Sequence, residues 1–140
     1  LGDVYKRQML TITSTLLFAA SSKQDDKTGL VWQDNQDVAK NDMMQKEAIA
    51  YCQNLKLDGF EDWRLPTLKE AYTIVDMTQE RPALKKGFEI RSDERFWTST
   101  PFAKNAEKEA WRISMSYGEV EPYNKNRTYR VRCVRGQGLQ

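Results

Sequence analysis

The stretch over residues 59–67 constrains the fold more than any other part of the sequence, because it places a non-helical turn between two helical patterns. Pro66 disfavours helical dihedrals at Leu65, so the residues before the proline are expected to run extended. Thr67 and Glu70 have the spacing of a capping box, which predicts that a helix begins directly after the turn. The turn is therefore predicted to be a packing device.

The motif inside this stretch joins an aromatic side chain, an arginine and a proline in consecutive positions: Asp62, Trp63, Arg64, Leu65, Pro66 and Thr67. We expect Trp63 and Leu65 to be buried. Arg64 is expected to hold the turn through an ion pair or a backbone hydrogen bond, with Asp62 or Glu61 as its natural partner. The alternative is that Arg64 anchors a ligand.

Helical spacing is present on both sides of the turn. Asn41 or Asp42 can cap a first helix that continues to about Leu57, and a second helix is predicted from Leu68 to about Met77. The inward face of the first helix carries small and apolar side chains, namely Met44, Ala48, Cys52 and Leu55.

Strand patterns dominate the second half of the chain. Aromatic and β-branched residues predict a strand over 96–100, and alternation predicts a hairpin between 110–115 and 119–123. A last strand is expected over 129–134, and a short strand over 30–32 precedes the helices. This order predicts an α+β fold in which two helices are followed by a twisted antiparallel sheet with long loops.

The N-terminal segment has the order of a secretory signal peptide. An apolar run over 9–20 follows Lys6 and Arg7, precedes small residues and is too short to span a bilayer. We therefore expect a leader over 1–21, in which 1–8 is a truncated or foreign extension, and no transmembrane span in the mature chain. The alternative is a buried element of the mature domain.

The rest of the chain is expected to comprise a linker over 22–27, a domain over 28–136 and a tail over 137–140.

Charge and composition restrict the function. The 22 basic and 20 acidic residues give a net charge of +2, whereas a nucleic acid partner requires a large basic excess. The chain contains no histidine, which is the commonest general base and the commonest transition-metal ligand. The acidic residues around Asp34 lack the spacing of a calcium loop. We therefore expect no catalytic residue, no cofactor, no metal and no nucleic acid partner.

Four motifs in a fixed order resemble one known family: TGLVW at 28–32, DWRLPT at 62–67, FWTST at 96–100 and VRCVR at 131–135. The chain resembles the Lcl C-terminal domain family, a bacterial domain of unknown function common in exported and surface proteins, over about residues 28–136. The resemblance implies a C-type lectin-like fold, shared distantly with formylglycine-generating enzymes. Some members lie at the ends of adhesin-like proteins, which suggests binding to glycans or host surfaces.

Cys52 and Cys133 are the two cysteines of the chain. In an exported protein an even pair indicates a disulfide, and the positions also resemble the helix-to-last-strand bridge of C-type lectin-like domains. The alternative is two buried free thiols. A relation to formylglycine-generating enzymes implies a further reactive cysteine pair, which this sequence lacks.

Aromatic residues are candidates for stacking on sugars, but core packing is the favoured interpretation of the tryptophans. They lie within strand or turn patterns, at Trp32, Trp63, Trp97 and Trp111. We assign Trp32, Trp97 and the neighbouring Phe96 to the structural motif.

A basic group near the C-terminus is the candidate ligand contact, and it consists of Lys125, Arg127, Arg130 and Arg132. Alternation predicts that Arg130 and Arg132 share one exposed strand face, where they could receive sulfates or carboxylates of an acidic polysaccharide. The alternative is a solvated face whose arginines pair with Glu119 and Glu121 across the hairpin.

The sequence therefore predicts an exported module, periplasmic or at the cell surface, that acts in binding or structure without catalysis. Its expected partner is an acidic polysaccharide or a surface protein. Two alternatives remain open: an enzyme distantly related to formylglycine-generating enzymes, and a periplasmic protein-interaction domain without a glycan role.

Overall fold

The computed structural model describes residues 21–139, so the expected leader lies almost entirely outside the described residues. Two α-helices are present, α1 at Gln45–Asn54 and α2 at Leu68–Thr73, with short 3-10 turns at Gln36–Ala39 and Ala103–Asn105. The strands are β1 at Ser22–Gln24, β2 at Val31–Gln33, β3 at Arg95–Pro101, β4 at Glu109–Ser114, β5 at Glu119–Asn124 and β6 at Val134–Arg135. These elements confirm the α+β class.

No helix within residues 21–139 is both long enough and apolar enough to cross a membrane.

The first sheet is antiparallel and has the strand order β1-β2-β6. Lys23 pairs with Trp32, and Trp32 pairs with Val134 on its other side. The expectation of a linker over 22–27 is therefore wrong at its start, because residues 22–24 form β1. The strand is hard to recognise in the sequence since its three residues are polar and it lies at the edge of its sheet.

The second sheet is also antiparallel and has the order β3-β4-β5. The expected hairpin between the last two strands of this sheet is present. The expected last strand over 129–134 is not part of it: residues 129 and 130 form single bridges to Met43 and Phe96, and β6 joins the first sheet. The domain therefore has two small sheets, where the sequence predicted one, and residues 129–135 connect them.

The hydrophobic core has two parts, which lie on opposite faces of the second sheet. Phe96 and Ile113 pack in one cluster with Trp32 and residues of α2. Trp97 packs in the other with Trp63, Leu65 and residues of α1. Helices therefore cover both faces of this sheet, and side-chain alternation along β3 sends consecutive aromatic rings into different clusters.

Both helices are shorter than the sequence predicts. The first begins at Gln45, because Met43 is held in a backbone bridge to Tyr129 and cannot enter the helix. The second ends at Thr73, well before Met77. Its predicted capping box is confirmed, since the Thr67 hydroxyl accepts from the Glu70 N–H at 3.1 Å and the Glu70 carboxylate accepts from the Thr67 N–H at 3.0 Å.

The predicted disulfide between Cys52 and Cys133 is confirmed. The two Cα atoms lie 5.6 Å apart and both residues are fully buried. The bridge joins α1 to the segment between the two sheets and closes a loop with a sequence separation of 81. In the chain-entropy account, a loop of this length stabilises the folded state chiefly by restricting the unfolded chain.

Reduction of this bridge should destabilise the domain by about 4 kcal/mol, because the unfolded chain regains the entropy of an open loop. Denaturant unfolding with and without reductant measures the difference. The variant Cys52→Ala with Cys133→Ala is the control and should be unaffected by reductant. Equal stability of oxidised and reduced protein would contradict this account.

Candidate functional site

The central turn is organised by one fully buried carboxylate, that of Glu70. The Arg64 guanidinium donates to its two oxygens at 2.6 and 2.8 Å, and the N–H groups of Thr67 and Leu139 donate at 3.0 and 3.3 Å. Burial opposes ionisation of Glu70, but these hydrogen bonds and the charge of Arg64 outweigh burial and lower the pKa of Glu70. One acidic group therefore caps α2 and fixes the turn before it.

The expected partner of Arg64 was wrong. Asp62 pairs with Arg135, at 2.6 and 3.1 Å, whereas Arg64 pairs with Glu70. Alternation cannot separate Asp62 from Arg64, because residues two apart in an extended segment share a side, so the exchange depends on tertiary packing of the Arg64 backbone against Val134. Asp62 remains exposed, while Arg64 lies beside the first turn of α2.

The aromatic and aliphatic residues of the turn are buried as the sequence predicts. Trp63 is 2% exposed and Leu65 is 4% exposed. Between them, the backbone N–H and C=O of Arg64 exchange hydrogen bonds with Val134 at 2.8 and 2.9 Å. These contacts favour a packing role for the turn. The contribution of the turn to stability stays a prediction.

The predicted basic face is corrected at Arg132. Its side chain is buried, and its guanidinium donates to the carbonyl oxygen of Gln33 at 2.8 Å, to the Asp34 carboxylate at 3.3 Å and to the carbonyl oxygen of Ile90. The guanidinium carbon lies 4.7 Å from the centroid of the Phe88 ring. Burial lowers the pKa of Arg132 to about 10, and the charge of Asp34 opposes this change. Arg132 therefore cannot contact a surface ligand.

Asp34 completes this buried network. Its two carboxylate oxygens accept from the backbone N–H groups of Glu89 and Ile90 at 2.8 and 3.0 Å. The pair with Arg132 thus attaches β2 to the long loop before β3, residues 74–94. Strand alternation predicted that Arg132 is exposed, because alternation assumes that one face of the strand meets solvent. In the structure both faces of this segment are covered, and residues 131–134 are all buried.

Arg130 is largely covered and already paired. Its side chain is 19% exposed and lies 3.1 Å from the carboxylate of Asp42. The expected pairing of Arg130 or Arg132 with Glu119 or Glu121 is wrong, since Glu121 pairs with Arg112 at 3.0 Å. The structure therefore separates the two arginines from the remaining members of the basic group.

Lys125 and Arg127 lie in the turn after β5, which we call the basic turn, residues 124–128. Arg127 is exposed, and its guanidinium carbon lies 5.5 Å from the centroid of the Tyr123 ring. The Lys125 ammonium donates to the carbonyl oxygen of Ala106 at 2.8 Å. Within residues 21–139, neither cation has a carboxylate within 4 Å.

Sequence reasoning missed Tyr123 as part of this surface. The Arg112 guanidinium lies 4.3 Å from the centroid of its ring, and the Tyr123 hydroxyl donates to Glu121 at 3.1 Å. These contacts hold a half-buried aromatic ring beside the basic turn. The register of the hairpin pairs Ala110 with Tyr123. This pairing could have indicated a partly accessible ring at Tyr123, because the small side chain of Ala110 across the strand pair leaves space beside it.

Comparison with known proteins identifies a matching family model. The model of the Lcl C-terminal domain matches residues 22–135, which includes β1 and all four of the motifs. No curated protein matches the chain.

Replacement of Trp63 by alanine should destabilise the domain by about 3–5 kcal/mol, as large aromatic truncations in cores do. Denaturant unfolding measures the loss. Trp111→Ala is the matched control: this tryptophan is half-buried against Phe102 and should cost less. A Trp63→Ala variant that unfolds like the parent protein would contradict the packing role.

Replacement of Arg132 by alanine should destabilise the domain by about 3–5 kcal/mol, because Asp34 would remain buried without its partner. The sequence-based expectation of an exposed Arg132 would have implied only a small loss of stability. The exposed Arg127→Ala variant should unfold within about 0.5 kcal/mol of the parent protein. Similar midpoints for the Arg127 and Arg132 variants would contradict the buried network.

Proposed function

The chain belongs to the Lcl C-terminal domain family, and on that premise we propose that it is an exported, non-catalytic binding module for acidic polysaccharide. The proposed contact is the basic turn together with the ring of Tyr123. The observation that supports it most strongly is the position of Arg127, an exposed guanidinium beside an aromatic ring and without a carboxylate within 4 Å among residues 21–139.

The disulfide supports the proposed location. Bridges such as Cys52–Cys133 form and persist in oxidising compartments and are rare in the cytosol. The two 3-10 turns, the short strands and the long loop before β3 leave much of the domain without regular hydrogen bonding. A covalent link is a suitable means of stabilising such a domain outside the cell.

The chemistry of the basic turn suits planar and tetrahedral anions. Arg127 offers several N–H donors in a rigid fork, and Lys125 adds a point charge two residues away. Tyr123 adds a half-buried aromatic ring, a group of the kind that packs on the C–H groups of a sugar, with the Arg112 guanidinium already 4.3 Å from its centroid. The hydrogen bond from Asn126 N–H to the Asn124 side chain at 2.9 Å fixes the turn that carries both cations.

A catalytic role is less well supported. The chain has no histidine, and both cysteines are joined in the disulfide, so the commonest general base and a free thiol nucleophile are missing. The enzyme interpretation remains the alternative.

The double variant Lys125→Ala with Arg127→Ala should elute from a heparin column at lower salt than the parent protein, because it lacks the two cations that contact the sulfates. Cations elsewhere on the surface cannot replace them, since salt screens exposed charges beyond about 8 Å at physiological ionic strength. The control is Lys40→Ala with Lys69→Ala, which removes the same charge from two exposed positions elsewhere. A reduction of equal size in the control, or none in the test variant, would contradict the proposed contact.

A further inference from the structure

A second group of cations lines a cleft between the first strand and the loop before β3. The cleft has a volume of about 340 Å³, and its Phe88 wall is buried. Its charged residues are Lys23, Asp25, Asp26, Lys27, Lys85 and Lys86. We call it the lysine cleft; it shares no residue with the basic turn.

The position of Lys23 in this cleft is built into the backbone. Pairing with Trp32 in the first sheet fixes its Cα atom. Its side chain then crosses Gly87, at the border with a neighbouring cleft that both residues line, so closely that a Cβ atom there would lie 2.7 Å from the Lys23 Cε and 3.1 Å from its Nζ. Gly87 has a φ of +101°, which other residues rarely adopt. A glycine therefore leaves the space in which this ammonium group lies.

One ion pair inside the cleft is already satisfied. Lys85 donates to Asp25 at 3.1 Å, and the other Asp25 oxygen accepts from the N–H and hydroxyl of Thr28 at 3.1 and 2.6 Å. Burial opposes ionisation of Asp25, but these hydrogen bonds and the charge of Lys85 lower the pKa of Asp25 overall, so its carboxylate stays ionised at neutral pH. Asp25 is thus occupied and does not neutralise the other lysines.

The remaining charges of the cleft are unbalanced. Lys23, Lys27 and Lys86 have no carboxylate within 4 Å among residues 21–139, and Asp26 is the other unpaired charge of the lining. Within this lining, three ammonium groups and one carboxylate leave a net charge of +2. Two further carboxylates lie nearby outside the lining: Asp76, whose charge interacts with that of Lys86, and Glu89, in the neighbouring cleft that Lys23 also borders. A ligand that complements the charge of the lining is a compact dianion.

We propose that the lysine cleft binds a dianionic phosphate group, free or as a phosphomonoester on a larger molecule. Lysine binds phosphate as a point charge without demanding the planar geometry that arginine forks prefer. A phosphomonoester carries close to two negative charges at neutral pH, which matches the unbalanced charge of the cleft. A sulfate ester carries one negative charge and matches it less well. This site is distinct from the proposed polysaccharide contact.

The lack of histidine gives the proposal a sharp test. The chain has no histidine, the one side chain with an ordinary pKa between 5 and 7, whereas a phosphomonoester loses one negative charge with a pKa of about 6. Carboxylates, with ordinary pKa values of about 4, gain protons only in part by pH 5, and that change would strengthen anion binding. A decrease in affinity for a phosphomonoester over this range therefore reports protonation of the ligand. The affinity for a sulfate ester should stay constant over the same range.

The experiment is an NMR titration of the full chain with inorganic phosphate, glycerol phosphate and methyl sulfate. We expect saturable shifts at Lys23, Lys86 and Gly87 with both phosphates, and an affinity for glycerol phosphate that falls several-fold between pH 7 and pH 5. Equal binding of free phosphate and glycerol phosphate indicates that the group itself is recognised. A preference for glycerol phosphate indicates a phosphomonoester on a larger molecule.

Matched variants locate the site. Lys23→Met keeps an unbranched side chain over Gly87 and removes the charge. The double variant Lys23→Met with Lys86→Ala should weaken phosphate binding about tenfold or more. The variant with Lys40→Ala and Lys69→Ala should bind as the parent does. The variant with Lys125→Ala and Arg127→Ala should also bind phosphate normally, which separates this proposal from the polysaccharide contact.

Three outcomes would overturn the proposal. These are unsaturable shifts, equal affinity for phosphate and sulfate esters at every pH, and equal losses in the Lys23/Lys86 and Lys40/Lys69 variants.

Discussion

The buried ion pair between Arg132 and Asp34 is the interaction on which the attachment of the first sheet to the loop before β3 depends. Removing two charges from water is costly, and such a pair is tolerated only when its remaining hydrogen-bonding groups find partners. Here the carbonyl oxygens of Gln33 and Ile90 and the N–H groups of Glu89 and Ile90 supply them. The pair therefore fixes β2, the segment before β6 and the long loop at the same time.

Charged side chains replace regular secondary structure in much of this domain. Glu70 accepts from the turn, from the start of α2 and from Leu139, and Arg91 donates to the carbonyl oxygens of Leu84 and Lys85 at 2.9 Å each. Buried backbone groups outside helices and sheets still need partners, and here several find them in ionised side chains. This explains how a chain with short elements can hold long loops in fixed positions.

The sequence predicted those features whose physics is local. The capping box of Thr67 and Glu70 depends on residues three positions apart, and the pairing of Cys52 with Cys133 had few alternatives. The choice of Glu70 as the partner of Arg64, and the burial of Arg132, depend on how distant segments pack. Alternation gives two faces to a strand but does not say whether both are covered, so Arg130 and Arg132 leave the candidate contact and Lys125 and Arg127 remain in it.

The disulfide also sets a mechanical limit. A pulling force applied between β1 and β6 would be carried by the bridge, so the 81-residue separation between the cysteines could not unravel. Only about thirty residues before Cys52 and two after Cys133 could extend, a reach of roughly 110 Å at the maximum rise of an extended chain. Without the bridge the same ends could separate by roughly 380 Å. In its oxidised form, the domain would therefore act as a short tether under tension.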